Sequence, residues 1–128
     1  MLHHISISVS DIKNSARFYD ALLKPLGYFQ VCSGKGFVGY GTEKDKDKFA
    51  LKKRVDTVAT PSPGFHIAFS APDHASIDQA YAAGIECGGG DNGAPGVREH
   101  YGPNYYAAFL IDPDGYEVEV VSNTVEGN

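Results

Sequence analysis

The 128-residue sequence predicts an α+β fold made of two copies of one βαβββ module. The first observation is an internal repeat: the octapeptide beginning at His4 resembles the one beginning at His66, with His, Ile, Ser and Asp at matching positions. The second is that, in each copy, an alternating apolar segment precedes an amphipathic one, as a strand precedes a helix. The third is a series of short apolar runs after each helix. A doubled module of this kind predicts a functional cleft between its copies.

The first module covers about residues 1–56. Leu2 to Val9 alternates as a half-buried strand does. Asp11 is placed to cap a helix that runs to about Leu26 and is ended by Gly27. Three short strands are predicted after it: Tyr28 to Cys32, Gly36 to Tyr40 and Phe49 to Val55.

The second module covers about residues 65–124 and follows a proline-containing linker at 57–64, so that one domain spans 1–128. Gly88 to Gly96 is so rich in glycine that it predicts a flexible loop at the mouth of the site. A tight turn is predicted at Asp112 to Gly115, where Pro and Gly stand at turn positions. The other predicted elements are a strand at Phe65 to Ala71, a helix at Ser76 to Ala83 ended by Gly84, and strands at Ile85 to Cys87, Tyr105 to Ile111 and Tyr116 to Ser122.

Composition excludes several classes of function. The net charge is −5, and the basic residues do not gather into a patch with aromatic residues between them, which argues against nucleic-acid binding. No apolar run approaches the roughly 18 residues of a membrane span. The first residues show no basic and apolar regions of a secretory signal, so we expect a cytoplasmic protein with Cys32 and Cys87 reduced.

Three side chains are candidate metal ligands. His4 and His66 begin the first strand of each copy, and Glu119 lies in the last predicted strand. Two imidazoles and a carboxylate on one face suit a divalent ion with open coordination positions. The alternative is that each histidine is an ordinary surface residue and that Glu119, opposite Val118 and Val120, faces solvent; if the sheet curls round a cavity, Glu119 faces that cavity instead.

A second group of candidate residues lies between positions 98 and 106. Arg98 can hold a carboxylate or phosphate through two parallel hydrogen bonds, and tyrosines can pack on an apolar or aromatic ligand. The alternative is a surface loop whose tyrosines dock onto the core. The candidate substrate-binding residues are Arg98, Tyr101, Asn104 and Tyr106.

Three segments together resemble the vicinal oxygen chelate superfamily, which includes glyoxalase I, extradiol dioxygenases, and bleomycin- and fosfomycin-resistance proteins. They are Leu2 to Asp11 with the following Ser15 to Tyr19, Pro63 to Phe69, and Asp112 to Glu119. The resemblance covers nearly the whole chain, and Asp91 to Tyr106 is similar to a small bacterial glyoxalase-like subgroup.

The resemblance implies that the two modules form a cupped mixed sheet round a metal. It places His4, His66 and Glu119 on ligand positions, with Glu119 also the candidate catalytic group. The strand at 49–55 lacks a fourth ligand, which departs from glyoxalase I and is closer to the three-ligand arrangement of the dioxygenases.

We therefore expect a lyase or dioxygenase that uses Fe, Mn, Ni or Zn and acts on a small oxygen-rich substrate that chelates the metal. The alternative is a metal-free protein that binds a drug-like molecule, as bleomycin-resistance proteins do. The two modules also allow a homodimer in which strands or modules pair across subunits.

Overall fold

The computed structural model describes residues 1–54 and 61–125 and contains the βαβββ order twice. Module one consists of β1 (Ile5–Val9), α1 (Ile12–Leu23), β2 (Phe29–Gly34), β3 (Phe37–Gly41) and β4 (Phe49–Lys53). Module two consists of β5 (His66–Ser70), α2 (His74–Glu86), β6 (Gly90–Val97), β7 (Tyr106–Ile111) and β8 (Glu117–Ser122). The predicted doubling of the module is confirmed. The first four residues of the predicted linker, 57–60, and the end of the strand predicted at 49–55 lie outside the described residues.

Each module forms one mixed four-stranded sheet. The strand orders are β1-β4-β3-β2 and β5-β8-β7-β6, so the two sheets have the same topology. In each sheet the first strand of the module is parallel to its last strand, and the other pairings are antiparallel. In the described part of the chain no ladder joins the two sheets, which leaves β1 and β5 each at an outer edge.

The two helices pack against each other and form one core with the sheets. Asp11 caps α1 by accepting hydrogen bonds from the backbone N–H groups of Lys13 and Asn14, as predicted. Asp73 caps α2 in the same way through the backbone N–H of Ser76. In residues 1–54 and 61–125 no helix is long and apolar enough to cross a bilayer.

Helix α1 ends earlier than the predicted Leu26. It stops at Leu23 and continues as a single 3₁₀ turn, Lys24–Leu26. Pro25 has no N–H to continue the α-helical ladder, which explains the change. Gly27 then takes a left-handed conformation with φ of 93° and ends the 3₁₀ turn. The prediction that Gly27 ends this helical segment is confirmed.

Helix α2 is longer than predicted, and the strand predicted at Ile85 to Cys87 is wrong. The helix begins at His74 and continues through Gly84 to Glu86. Gly84 is buried at a close approach: a Cβ there would lie 2.8 Å from Leu110 Cδ2 and 3.2 Å from Leu22 Cδ1. This glycine therefore serves helix packing rather than helix termination.

Replacing Gly84 by Val is expected to destabilise the fold by about 1 to 3 kcal/mol, because the added methyl groups must displace Leu110 and Leu22. The control is Ala82→Val at an exposed position of the same helix, where only the helix propensity changes, by roughly 0.5 kcal/mol. Urea unfolding of both variants measures the difference. Equal losses in the two variants would contradict the packing role of Gly84.

The glycine-rich segment is also different from its prediction. Residues Gly90–Val97 form β6, an edge strand paired with β7, rather than a flexible loop. The register shifts twice, between Asp91 and Gly93 and between Gly93 and Gly96, so the strand is bulged. A glycine-rich segment has no side-chain alternation that would indicate a strand. Backbone hydrogen bonds to β7 hold this segment as a strand.

Candidate functional site

The site begins with the alternation of side chains along β8. Val118 and Val120 are buried in the core beneath the helices. Glu119 points to the opposite face of the sheet, where its ladder partners are Ala68 on β5 and Phe109 on β7. Its side chain is nevertheless buried, since Glu119 is only 3% exposed. The sequence left open whether Glu119 faces solvent or a cavity, and the structure places it in a cavity wall.

Glu119 is held by one partner on each carboxylate oxygen. Oε1 lies 3.3 Å from Nε2 of His66, which begins β5 on the same face. Oε2 accepts a short hydrogen bond from the hydroxyl of Tyr105. The His66 ring is half exposed, so the pair is buried on the carboxylate side and open on the imidazole side.

The cavity that these groups share has a volume of about 300 Å³ and carries both aromatic and polar groups. Its lining consists of His66, Asn92, Tyr101, Tyr105, Phe109, Glu117, Val118 and Glu119. All of these residues belong to module two. A concave site with a few convergent polar groups and aromatic walls is typical of small-molecule binding.

Of the four predicted substrate-binding residues, Tyr101 lines this cavity and Arg98 contacts one of its lining residues. Tyr101 is part of the lining, and its ring centroid is 5.2 Å from that of Tyr105. The guanidinium of Arg98 lies over the ring of Phe109, 5.4 Å from its centroid, while Nη2 donates to the Ala94 carbonyl at 2.6 Å. Arg98 is therefore fixed at the edge of the cavity through a lining residue.

The other two predicted substrate-binding residues lie away from the cavity lining. Tyr106 points to the helix side of its sheet, where its hydroxyl donates to Asp78 Oδ1 at 2.6 Å and its ring stacks on His74. Asn104 is exposed and does not line the cavity. Tyr105 is the tyrosine that reaches Glu119, and sequence reasoning missed it. Strand parity was the available signal, because odd-numbered positions near β7 share the face of Phe109.

The third predicted ligand, His4, lies apart from the other two. It precedes β1, is exposed, and has its Nδ1 2.8 Å from Nδ1 of the adjacent His3. Across the described ranges, no group of three or more His, Cys, Asp and Glu side chains is close enough to hold a metal ion. A single chain thus brings together His66 and Glu119 but not the complete predicted set.

The His66–Glu119 pair has the right spacing for two ligands of one ion. Metal–nitrogen and metal–oxygen bonds of roughly 2.1 Å at tetrahedral or octahedral angles separate the two donor atoms by about 3.0 to 3.4 Å. The observed separation of 3.3 Å lies in that range. An imidazole and a carboxylate are also donors that several divalent transition metals accept.

The surroundings of Tyr105 raise the pKa of its hydroxyl. Burial, and then its hydrogen bond to Glu119, raise the pKa of Tyr105 to about 12. The Tyr105→Phe variant is expected to lose a tyrosinate transition near that pH, which a difference absorbance titration against the unaltered protein isolates. Tyr101→Phe serves as the control, since the Tyr101 ring is 60% exposed. A difference curve with its midpoint near 10 would contradict both the burial of Tyr105 and its bond to Glu119.

A second cavity, the intermodule cavity, has a volume of about 450 Å³ and is bordered by both modules. It lies along the free edge of β5, and His66 lines both this cavity and the smaller one. The sequence predicts the three metal ligands in a cleft between the copies, but of those three residues only His66 lines this cavity. Its lining consists of Leu2, Ile5, Leu23, Tyr28, Tyr40, Gly41, Thr42, Lys48, Phe49 and the whole of β5.

Comparison with known proteins identifies the family. A model of the Glyoxalase/Bleomycin resistance protein/Dioxygenase superfamily matches residues 1–120. The chain belongs to this superfamily. A crystal structure of a glyoxalase/bleomycin resistance protein from Albidiferax ferrireducens T118 is 31% identical, with 92% of this chain and 94% of that chain covered and a TM-score of 0.79. The predicted family and its α+β fold are thereby confirmed.

Two further comparisons show how far the similarity extends. The uncharacterized protein YqjT of Bacillus subtilis (strain 168) is 30% identical, over 94% of this chain and 98% of its own length. A mutant of glyoxalase I from Zea mays shares the fold with a TM-score of 0.71 at 21% identity; the match covers 94% of this chain and 46% of the maize chain. This superfamily member thus corresponds to about half of the maize enzyme in length.

Proposed function

We propose that this superfamily member is a divalent-metal-dependent lyase or dioxygenase whose site is the cavity around His66 and Glu119. The observation that carries the proposal is the contact between His66 Nε2 and Glu119 Oε1 at 3.3 Å, in the wall of a cavity large enough for a small substrate. The Glu119 carboxylate is buried, and both groups that contact it, the Tyr105 hydroxyl and the His66 imidazole, belong to residues that line the same cavity, which favours a functional role for Glu119.

The residues around the pair have distinct roles in this proposal. Tyr105 holds one oxygen of Glu119, so the other oxygen is oriented toward His66. Tyr101 in the lining, and Arg98 beside the lining residue Phe109, bind and orient an oxygen-rich substrate through hydrogen bonds. When bound, a divalent ion supplies Lewis-acid polarisation of a substrate oxygen.

The ligand set would be completed by a second copy of the chain. His4 directly precedes β1 and His66 begins β5, and each of these strands is an edge strand of its sheet. Edge strands carry unpaired N–H and C=O groups that can pair with another chain. A homodimer in which the residues before β1 of one copy lie against the His66–Glu119 cavity of the other would bring His4 to His66 and Glu119.

A complementation experiment tests this arrangement. His4→Ala and His66→Ala chains are each expected to lose bound metal, measured by elemental analysis after gel filtration. When the two variants are unfolded together and refolded, half of the dimers are mixed and each holds one intact site, so about a quarter of the sites should regain metal. Recovery of no metal would contradict a site shared between copies. His100→Ala is the matched histidine control.

The metal itself is tested on the unaltered protein. Elemental analysis after purification without chelator is expected to find a bound metal, and addition of Mn²⁺, Fe²⁺, Ni²⁺ or Zn²⁺ is expected to raise the unfolding temperature.

The second candidate function is metal-free binding of a drug-like molecule. It is favoured by the observation that His66 and Glu119 already contact each other within one chain. A protein with no metal and no thermal shift, but unchanged ligand affinity in His66→Ala, would support that second candidate instead.

A further inference from the structure

We propose that the intermodule cavity is a binding site for a small amphipathic carboxylate, a ligand with an apolar chain and one anionic head group. This cavity adjoins the His66–Glu119 cavity at His66, and the proposed binding does not depend on a metal. Its volume of about 450 Å³ falls in the range of ligand pockets in proteins.

The inner walls of the cavity are apolar. Side chains of Leu23 and Phe49 come from module one, and Ile67 and Phe69 from β5. These four residues belong to the core or pack against it, so they form a fixed surface rather than one that must first be ordered. An apolar chain that enters this cavity would remove its surface from water, which is the favourable term in binding.

The lining of the cavity carries one lysine. Lys48 is exposed there, and among residues 1–54 and 61–125 it has no ion-pair partner. None of the described residues that line the cavity carries a carboxylate. The polar groups of the lining therefore favour an anionic head over a cationic one, and the exposed position of Lys48 places that head toward solvent.

The cavity also joins the two modules. The hydroxyl of Tyr28 in module one donates to the carbonyl of Ser70 at the end of β5, at 3.1 Å, and both residues line the cavity. His66 stands at the other end of β5 and borders the second cavity as well. A ligand seated along β5 would thus contact both modules.

Isothermal titration calorimetry with octanoate and octylammonium tests the charge preference. Octanoate is expected to bind and octylammonium to bind at least about threefold more weakly, because the head group meets Lys48. Lys48→Met should lower the affinity for octanoate about two- to fivefold, as one exposed charge pair does. Lys44→Met, which removes an exposed lysine of the same loop outside the cavity lining, should leave the affinity unchanged.

A variant that fills the cavity tests the location. Thr42 is exposed at the lining, so Thr42→Trp is expected to abolish octanoate binding while the unfolding temperature stays within a few degrees of the unaltered protein. Amide chemical shifts in the unaltered protein should change along Ile67 to Ser70 on addition of octanoate, and not at Glu119.

Three results would overturn the proposal: equal affinity for the two probes, shift changes confined to the His66–Glu119 cavity, or no octanoate binding by the unaltered protein. If light scattering shows a dimer and octanoate does not bind, the intermodule cavity is covered by the second copy and is not a ligand site.

Discussion

Replacing Asp112 by Ala is expected to lower the free energy of unfolding by about 3 to 5 kcal/mol. Asp112 is 4% exposed and accepts hydrogen bonds from three donors. These are the Tyr19 hydroxyl at 2.6 Å and the backbone N–H groups of Asp114 and Tyr116, each at 2.9 Å. Tyr19 is itself fully buried, so the alanine variant leaves its hydroxyl without a partner in the core.

The effect is large because Asp112 joins the modules. Tyr19 lies on α1 of module one, while Asp112 starts the turn between β7 and β8 of module two. The same turn is tied to module one by Asp114, which accepts from the Ser10 backbone N–H at 3.0 Å, and by the Tyr116 hydroxyl, which donates to the Ser8 carbonyl at 2.8 Å. Loss of Asp112 therefore weakens both the turn and the contact between the modules.

Urea unfolding measures the loss, and Asp112→Asn is the control. Asparagine keeps one carbonyl oxygen for the two backbone N–H groups, so a loss of roughly 1 kcal/mol is expected near neutral pH. A loss below about 1 kcal/mol in the alanine variant would contradict the role of these three hydrogen bonds.

The pH dependence of the control variant has a definite sign. Burial raises the pKa of Asp112 above its ordinary value of 3.8, against the opposing effect of its hydrogen bonds from Tyr19 and the backbone. A carboxyl whose pKa is raised on folding contributes stability that is complete below the unfolded pKa and is lost as the pH rises through the folded pKa. Asp112→Asn should therefore cost most in strong acid, and its cost should fall as the pH rises from 3.8 through the raised pKa.

The sequence allowed the fold to be predicted where local rules and the repeat agree. The helix cap Asp11 and the turn at Asp112 to Gly115 are local signals, and each is found in the structure. The alternation around Val118 and Val120 predicted which face of β8 enters the core. These features depend on neighbouring residues alone, so one sequence is sufficient to find them.

The features that sequence reasoning missed depend on distant residues. Gly84 stays helical because Leu110 and Leu22 pack over it, and those residues are far away in sequence. The glycines of β6 form a strand because β7 supplies a ladder. Tyr106 is predicted as a substrate-binding residue, but strand parity shows only that Tyr105 and Tyr106 face opposite ways, and the pairing of β7 with β8 decides which of them faces Glu119.

Replacing Glu119 by Gln is expected to abolish the metal-dependent part of the stability and to reduce the proposed activity by about a hundredfold or more. At a metal concentration of a hundred times the dissociation constant, binding stabilises a folded protein by about 2.7 kcal/mol. The variant should show none of this gain. Glutamine keeps an oxygen that accepts from the Tyr105 hydroxyl, so the metal-free stability should change by less than about 1 kcal/mol.

Thermal unfolding with and without metal separates the two effects, because a fold defect lowers both curves whereas loss of a ligand removes only the difference between them. Glu86→Gln, which removes an exposed carboxylate at the end of α2, controls for the change in net charge. A Glu119→Gln protein that keeps the full metal shift would contradict the role of Glu119 as a ligand. Its contact with His66 would then be an ion pair of the protein alone, and the cavity would fit the metal-free binding function better.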